Sequence, residues 1–465
     1  MPDEFLKLLA ESQRTLDEGF AHLPPNPALP LAEEASDILL QVATRLHDNY
    51  PYAHPLYAGQ MLKPPHPIAR AAYALAMSVN PNNHALDGGR ASSAMEIEAV
   101  AALANMFHWT EEKGGYFGHL SSGGTFANLE ALWVAGQLTY TEDGTPKAIA
   151  ASDQAHYTHS RISSVLGLPF ISIPSDEHGR MDLTVLESLL ETDKIGTVVV
   201  TLGTTAIGSV DPLEHIVALQ QRFKFRIHVD AAYGGYFTLA ANLSRETRAA
   251  FDAIPHADSI VIDPHKHGLQ PYGCGCILFR DPAVGRLYKH DSPYTYFSSK
   301  DLHLGEISLE CSRAGASAVA LWATQQLLPY TPGGAFAQGL EAGHTAALKL
   351  HRRLTESPHF ITPASPPQLD IVFWAVRAAN PEASSAHAQL IFDEAARRDL
   401  HLALAKLPVR FFPQNSWQNF PEIEPQITVT CLRSVLMKPE HLLWLDQIWE
   451  RLEAAAVASI VSIPR

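Results

Sequence analysis

Cysteine is scarce in this sequence, with four residues among 465: Cys274, Cys276, Cys311 and Cys431. Four cysteines in a chain of this length do not form a disulfide framework. Cys274 and Cys276 lie in a tight turn that enters an apolar run, and no further Cys or His stands at ligand spacing. We therefore expect the cysteines to pack structurally and expect no metal site.

Long apolar runs and positive charge are also lacking. No run of about 18 apolar residues exists, so we expect no membrane partner. The first residues contain no basic stretch followed by an apolar core, so we expect no secretory signal and a cytoplasmic protein. Lys and Arg number 34 against 49 Asp and Glu, a net charge of −15. Without a basic cluster, the sequence argues against a nucleic-acid partner.

The hydrophobic fraction of 46% and the charged fraction of 18% are typical of a globular protein of two or three domains. Residues 1–65 contain helical patches separated by Pro-rich stretches, which predicts an N-terminal arm lying over the main domain or over a partner subunit. Residues 66–340 and 341–465 form the predicted large and small domains, with a turn at 332–334 near the boundary.

The large domain alternates short apolar runs with helical stretches, which predicts an α/β fold with a mainly parallel sheet. The runs cover 148–151, 170–173, 197–202, 225–229, 259–262 and 276–279. The last run has no long helix before it and is the candidate antiparallel strand. The small domain has an α+β pattern.

Two charged residues directly follow apolar runs. Lys266 follows the run at 259–262, where partial desolvation would disfavour its ammonium and make it an amine nucleophile. Alternatively, it is a strand-end lysine with its head in water. Asp230 ends the run at 225–229, and the small residues after it leave room for a flat ligand; alternatively, it caps a helix or turn. Both residues are predicted at one end of neighbouring strands, where α/β sheets bind ligands.

Two further segments predict parts of the same site. Gly123, Gly124 and Thr125 stand just before a clear helix, where free amides could bind an anion, although Gly-rich helix starts are frequent. His156 follows the run at 148–151 and could stack on a flat ring, or it is an ordinary strand-end histidine.

These segments occur in a specific order along the chain. With Gly203-Thr204-Thr205, Asp230-x-Ala232 and His265-Lys266, the sequence closely resembles the group II pyridoxal-phosphate-dependent decarboxylases. The archaeal tyrosine/aspartate decarboxylases are most similar, through Asp-Pro-His-Lys at 263–266 and Ser-Arg-Ala-Gly-Ala at 312–316. Sphingosine-phosphate lyases are similar more distantly. The resemblance is strongest over about residues 50–340.

The resemblance implies an aspartate-aminotransferase-like fold (pyridoxal-phosphate fold type I) with a seven-stranded large-domain sheet. It also implies a homodimer with an interfacial active site, and pyridoxal 5'-phosphate as cofactor. The resemblance also implies a role for each site residue. Lys266 forms the Schiff base, Asp230 pairs with the pyridinium, and Ala232 and His156 cover the two faces of the ring. Gly123, Gly124 and Thr125 hold the phosphate, Thr204 lies at the ring edge, and His265 lies near the phosphate or the substrate.

The implied reaction is decarboxylation of an L-amino acid to an amine and CO₂. Its proton donor is open among Tyr296, His303 and His156, because the loop that supplies a tyrosine in the family is poor in tyrosine here. Arg433 resembles the small-domain arginine that holds a substrate carboxylate, or it forms a local ion pair. Arg313 is predicted to brace the subunit interface or the phosphate region.

Other functions remain open from the sequence. The same fold and cofactor could serve a carbon–carbon lyase of the sphingosine-phosphate type, an aminotransferase, a sulfur-removing lyase or an oxidative deaminase. A scaffold that has lost activity is the alternative of a different class. The sequence does not identify the amino acid substrate.

Overall fold

The computed structural model describes residues 2–24, 32–84, 86–289, 308–417 and 427–461. The helices in these ranges are α1 (Pro2–Glu18), α2 (Ala35–Leu46), α3 (Pro67–Met77), α4 (Arg90–Met106), α5 (Gly124–Leu138), α6 (Thr158–Leu166), α7 (Leu183–Leu190), α8 (Leu213–Gln220), α9 (Arg245–Asp252), α10 (Gly285–Tyr288), α11 (Gly315–Leu327), α12 (Ala335–Glu356), α13 (Pro381–Arg397) and α14 (His441–Val461). The strands are β1 (Phe117–Ser121), β2 (Ala148–Ser152), β3 (Phe170–Ile173), β4 (Ile195–Thr201), β5 (Arg226–Asp230), β6 (Ser259–Ile262), β7 (Gly275–Phe279), β8 (Phe360–Ile361), β9 (Ile371–Val376), β10 (Ala403–Pro408) and β11 (Thr428–Val435).

A seven-stranded sheet forms the centre of the larger part of the molecule, in the order β1-β7-β6-β5-β4-β2-β3. The neighbours from β6 to β3 are parallel, whereas β7 pairs antiparallel with both β1 and β6. The predicted α/β fold with a mainly parallel sheet is therefore confirmed, including its antiparallel member. β1 was missing from the predicted runs because Gly118 and His119 interrupt its apolar character.

Burial explains why the predicted runs became strands. Every residue of β4 and β6 is buried, as expected for parallel strands covered by helices on both faces. Because β2, β4, β5 and β6 run in one direction, their carboxyl ends share one edge of the sheet. That edge carries Ser152, Thr201, Asp230 and the residue after Ile262.

A second, antiparallel sheet has the order β10-β11-β9-β8 and packs against α12 and α13, and α14 packs against these two helices. Its core includes Trp374, Ile448 and Leu452, all fully buried. This arrangement confirms the smaller α+β unit. The domain limits at 65 and 340 stay predictions, and position 340 falls within α12.

The first two helices differ in how they pack. α1 contacts α3, whereas α2 has no buried residue. Ile38, Leu39 and Leu40 of α2 are 55%, 66% and 64% exposed. Within the described ranges, no helix combines the length and apolar character that crossing a membrane requires.

Candidate functional site

A cavity of about 480 Å³ lies at the carboxyl edge of the parallel strands. Eight of the residues predicted for the site line it: Gly123, Gly124, Thr125, His156, Asp230, Ala232, His265 and Lys266. A larger cleft of about 850 Å³ lies elsewhere and is lined by none of these eight residues. The site is therefore identified by its chemical groups rather than by its size.

Lys266 lies in the turn after β6, and its side chain is 23% exposed. Its Nζ is 3.0 Å from Asp263 Oδ2. Burial lowers the pKa of Lys266, but the carboxylates of Asp263 and Asp230 together raise it more, so the net pKa lies above its usual value. Desolvation does disfavour the ammonium, as expected, but the expected net lowering of the pKa is wrong, because the two acids that face the amine outweigh desolvation.

Asp230, at the end of β5, is 5% exposed and accepts two hydrogen bonds. Its Oδ1 accepts from the Ala232 amide at 3.1 Å, and its Oδ2 lies 2.8 Å from Nε2 of the fully buried His159. Burial raises the pKa of Asp230, but the hydrogen bond and charge of His159, together with Lys266, lower it below its usual value. The cavity therefore contains a carboxylate anion that is fixed in orientation.

His159 was missed by the sequence analysis. It lies in α6, three residues after His156, so a helical spacing of two histidines after β2 was the available signal. Because the Asp230 carboxylate can accept only, Nε2 of His159 carries the proton in this contact. His159 positions Asp230 from behind and does not line the cavity.

The start of α5 forms one corner of the cavity. Gly123 is the N-cap, and its carbonyl accepts from the amides of Phe126 and Ala127. The amides of Gly124 and Thr125 precede the first intrahelical bonds and can donate to an anion. A Cβ on Gly124 would lie 2.6 Å from Asp263 Oδ2, so this position requires glycine.

Buried hydrogen bonds fix this helix start to the sheet. Asn128 Nδ2 donates to the Gly124 carbonyl at 2.8 Å, and Asn128 Oδ1 is 2.8 Å from His228 Nε2. The other nitrogen of His228 is 2.9 Å from Ser259 Oγ. Burial lowers the pKa of His228 to about 3, so the ring is neutral and Nε2–H donates to Asn128. The sequence offered no pattern for this network.

Two histidines contribute neutral rings to the cavity. His156 is partly buried, and its Nδ1 accepts from the Thr158 amide at 3.3 Å. His265 Nδ1 lies 2.7 Å from the Cys274 carbonyl and therefore donates to it, while its ring lies 4.8 Å from that of Tyr272. Burial lowers the pKa of both histidines.

Thr204 does not face the cavity, in contrast to its predicted place at the ring edge. Its Oγ1 is 2.8 Å from Ser209 Oγ and accepts from the Ser209 amide at 3.0 Å. This pairing closes a tight turn and leaves Thr204 fully buried. Thr201 and Thr205 line the cavity instead, because alternate residues of the segment point to opposite sides.

Arg433, in β11, is 5% exposed. Its Nη2 donates to the Thr205 carbonyl at 2.8 Å, and Nη1 lies 3.4 Å from both the Gly59 carbonyl and Gln60 Oε1. No carboxylate of the described residues forms an ion pair with it. The local ion pair considered from the sequence is therefore absent from the described part of the chain, and the guanidinium stands directly behind Thr205 of the cavity wall.

Arg313 braces the segment that leads into the glycine corner. Its Nη1 lies 2.6 Å from Glu96 Oε1 and 2.7 Å from the Leu120 carbonyl at the end of β1.

Of the remaining residues, the four cysteines are free. Tyr296 and His303 fall in 290–307, outside the described residues.

This fold and this cavity define a class of protein. An amine, a fixed carboxylate, and an anion corner at a helix N-terminus converge at the carboxyl edge of an α/β sheet, and these groups fit an aldehyde-bearing, protonated-ring cofactor with a phosphate. The comparisons identify that class. Residues 24–376 match the family described as "Pyridoxal-dependent decarboxylase conserved domain".

Relatives and solved structures agree with that match. An L-tyrosine decarboxylase of Enterococcus faecium is 27% identical, over 82% of this chain and 81% of the relative. A probable L-tyrosine/L-aspartate decarboxylase of Methanosphaera stadtmanae is 30% identical, over 68% of this chain and 78% of the relative. Oryza sativa TDC with PLP and tryptamine superposes with a TM-score of 0.79 at 17% identity, over 98% of this chain and 96% of that one. Mouse CSAD superposes with a TM-score of 0.77 at 20% identity, over 98% of this chain and 99% of that one.

The chain belongs to the pyridoxal-dependent decarboxylase family. It is a pyridoxal-phosphate-dependent carboxy-lyase that acts on an amino acid, as the sequence analysis predicted.

Proposed function

We propose that this protein decarboxylates an L-amino acid to its amine with Lys266 and Asp230 as the central catalytic residues. The observation that carries the proposal is that the Lys266 amine and the Asp230 carboxylate line one cavity with the first amides of α5. When bound there, pyridoxal phosphate supplies a protonated aromatic ring that withdraws the electron pair of the breaking bond.

Asp230 would hold the proton on the ring nitrogen. Its carboxylate is anionic because His159 and Lys266 keep its pKa low, and an anion at that position favours the protonated ring. His159 fixes the carboxylate orientation through the 2.8 Å contact, and Ala232 leaves room for one ring face.

Lys266 would hold the cofactor covalently through its amine, and the substrate amine would then take the place of the Lys266 amine. Its raised pKa means that the free enzyme stores the amine as an ammonium beside Asp263. The proton must leave before Nζ can act as a nucleophile. Asp263, at 3.0 Å, is the nearest described base.

Gly123, Gly124 and Thr125 would hold the cofactor phosphate at the positive end of α5. His265 stands beside this corner, since a Cβ on Gly123 would lie 3.3 Å from its Cε1. Arg433 would bind a substrate carboxylate: it is a buried cation with no acid partner among the described residues and lies behind Thr205.

Three residues are candidates to return the proton to the substrate Cα: Tyr296, His303 and His156. Burial keeps His156 neutral at physiological pH, which favours stacking on the cofactor ring over proton donation. We therefore assign donation to Tyr296 and keep His303 as the alternative. Replacing Tyr296 with Phe should lower amine formation far more than replacing His303 with Gln.

The protein would act as a cytoplasmic homodimer. The exposed apolar side chains of α2, Ile38, Leu39 and Leu40, support burial of this helix against a second copy of the chain. Free cysteines suit a reducing compartment. Light scattering of the purified protein tests the dimer, and an Ile38→Ser, Leu40→Ser variant should shift it towards the monomer.

The activity is tested with the standard L-amino acids, beginning with L-tyrosine and L-aspartate, for which the relatives are named. CO₂, amine, aldehyde and keto acid are quantified in parallel on cofactor-loaded protein. CO₂ and amine in equal amounts are expected for one substrate. Aldehyde or keto acid without CO₂ would contradict decarboxylation and favour the lyase or transaminase alternatives.

A further inference from the structure

A second cavity of about 250 Å³ lies beside the first, between α3, α12 and the start of α14. His267 lines this cavity, while its neighbour Lys266 lines the cofactor cavity. The volume is several times the share of one water molecule in the liquid, about 30 Å³. The roles proposed above for the decarboxylase reaction use none of the residues that line it.

Two lysines line the cavity, and neither amine has an acid partner among the described residues. Lys63 Nζ donates to the Met437 carbonyl at 3.1 Å, and Lys438 Nζ donates to the Tyr57 carbonyl at 2.7 Å. Lys438 is 2% exposed, and no carboxylate of the described residues lies within 4 Å of either amine. Burial lowers the pKa of each lysine to about 8. Each ammonium has three N–H groups and donates one hydrogen bond to a carbonyl, so both amines have hydrogen bonds left to donate.

Three helix N-termini meet at the same cavity. His66 and Pro67 begin α3, Ala335 and Phe336 begin α12, and Glu440 immediately precedes α14. Each helix has more than ten residues, so each adds a positive dipole end. The first amides of α14 already donate to the carbonyls of residues 438–440, and the Ile68 amide donates to His66, so the start of α12 offers the free amides. Glu440 is the one carboxylate in the described lining, and it is exposed.

His267 adds an unused polar group. It is 1% exposed, and neither ring nitrogen has a hydrogen-bond partner among the described residues. Nε2 lies 3.4 Å from Asp370 Oδ2, which is within ion-pair range but lacks hydrogen-bond geometry. Burial keeps the pKa of His267 well below its usual value, so the ring is neutral and offers one N–H.

We propose that this cavity is a binding site for a small oxyanion, such as inorganic phosphate or a carboxylate, held by Lys63, Lys438, His267 and the first amides of α12. The anion would join α3, which packs against α11, and His267, which follows β6, to Lys438 and α14 of the smaller unit. Its binding would therefore stabilise the contact between the two parts of the chain.

The proposal is tested by calorimetric titration of the cofactor-saturated enzyme with inorganic phosphate, sulfate and acetate. Chloride keeps the ionic strength constant, and the absorbance of the bound cofactor is followed to show that the cofactor phosphate is not displaced. At pH 8 a bound anion raises the pKa of the lysines, so protons are taken up. The measured enthalpy should then depend on the ionisation enthalpy of the buffer.

Three variants and one control make the result decisive. Lys63→Met and Lys438→Met should each weaken phosphate binding at least about tenfold, or about 1.4 kcal/mol. Lys438→Arg should retain binding because it keeps the charge, which covers the case in which Lys438→Met does not fold. Lys349→Met, an exposed lysine of α12, should bind like the wild type. Unchanged affinity in Lys63→Met, or phosphate binding no tighter than chloride, would overturn the proposal.

Discussion

Replacing His159 with Phe should damage the cofactor site without touching the cavity wall. The substitution keeps a buried ring but removes the 2.8 Å hydrogen bond to Asp230 Oδ2. Asp230 is 5% exposed, so water does not replace the lost donor, and its remaining protein partner is the Ala232 amide. A hydrogen bond to a buried charged group contributes about 1.5–3 kcal/mol.

This free energy corresponds to a factor of about 10 to 150 at 1.36 kcal/mol per decade. We expect a loss of that size in cofactor affinity and in kcat/KM. The pH profile should change as well. The anionic form of Asp230 is needed, and its low pKa keeps that form present at all ordinary pH values. Without His159 the pKa rises, so activity is lost at a higher pH than in the wild type as the solution is acidified.

The assay is a spectrophotometric titration of apoenzyme with pyridoxal phosphate, followed by kcat/KM across pH. His119→Phe is the matched control, because His119 Nε2 also lies 2.8 Å from a buried carboxylate, Glu130, but neither residue lines the cavity. The control should lose stability and keep cofactor affinity. Wild-type affinity and an unshifted pH profile in His159→Phe would refute the role of His159.

Three further predictions follow from single contacts. Lys266→Ala should abolish turnover and the absorbance band of the covalently bound cofactor, and a variant with full activity would contradict the assignment. Gly124→Ala places a Cβ 2.6 Å from Asp263 Oδ2 and should weaken pyridoxal phosphate binding, measured by equilibrium titration. Gly136→Ala in the same helix meets the end of a flexible leucine side chain and should bind normally. Burial raises the pKa of Asp211 to about 7, so the folded state binds more protons than the unfolded state between pH 4 and 7. The free energy of unfolding should fall as pH rises through that range, and Asp211→Asn should flatten the slope in urea titrations.

Sequence alone predicted the functional side chains at the ends of strands and the amides at the start of a helix. Apolar runs identified the buried strands, and the last residue of such a strand and the few residues after it lie at the sheet edge wherever the strand belongs to the parallel part. Lys266, Asp230 and His156 line one cavity for that reason. The glycine corner was equally predictable, since a helix start is a local feature.

Contacts between distant segments were decided only by the tertiary structure. His159 meets Asp230 across 71 residues, and Asn128 meets His228 across 100. No local pattern specifies such pairs. The expected sign of the Lys266 pKa was wrong for a related reason: sequence indicates burial, but the net pKa depends on how closely Asp263 and Asp230 approach the amine.

Side-chain direction was the other limit. Thr204 stands in the right segment, but its hydroxyl closes a turn with Ser209, and Thr205 faces the cavity. Likewise, three helix starts that are far apart in the chain meet at one small cavity between Lys63 and Lys438. The sequence thus determined which groups stand at element ends. Only the packing of those elements decided which groups face each other, because distances across the core set both hydrogen bonds and charge interactions.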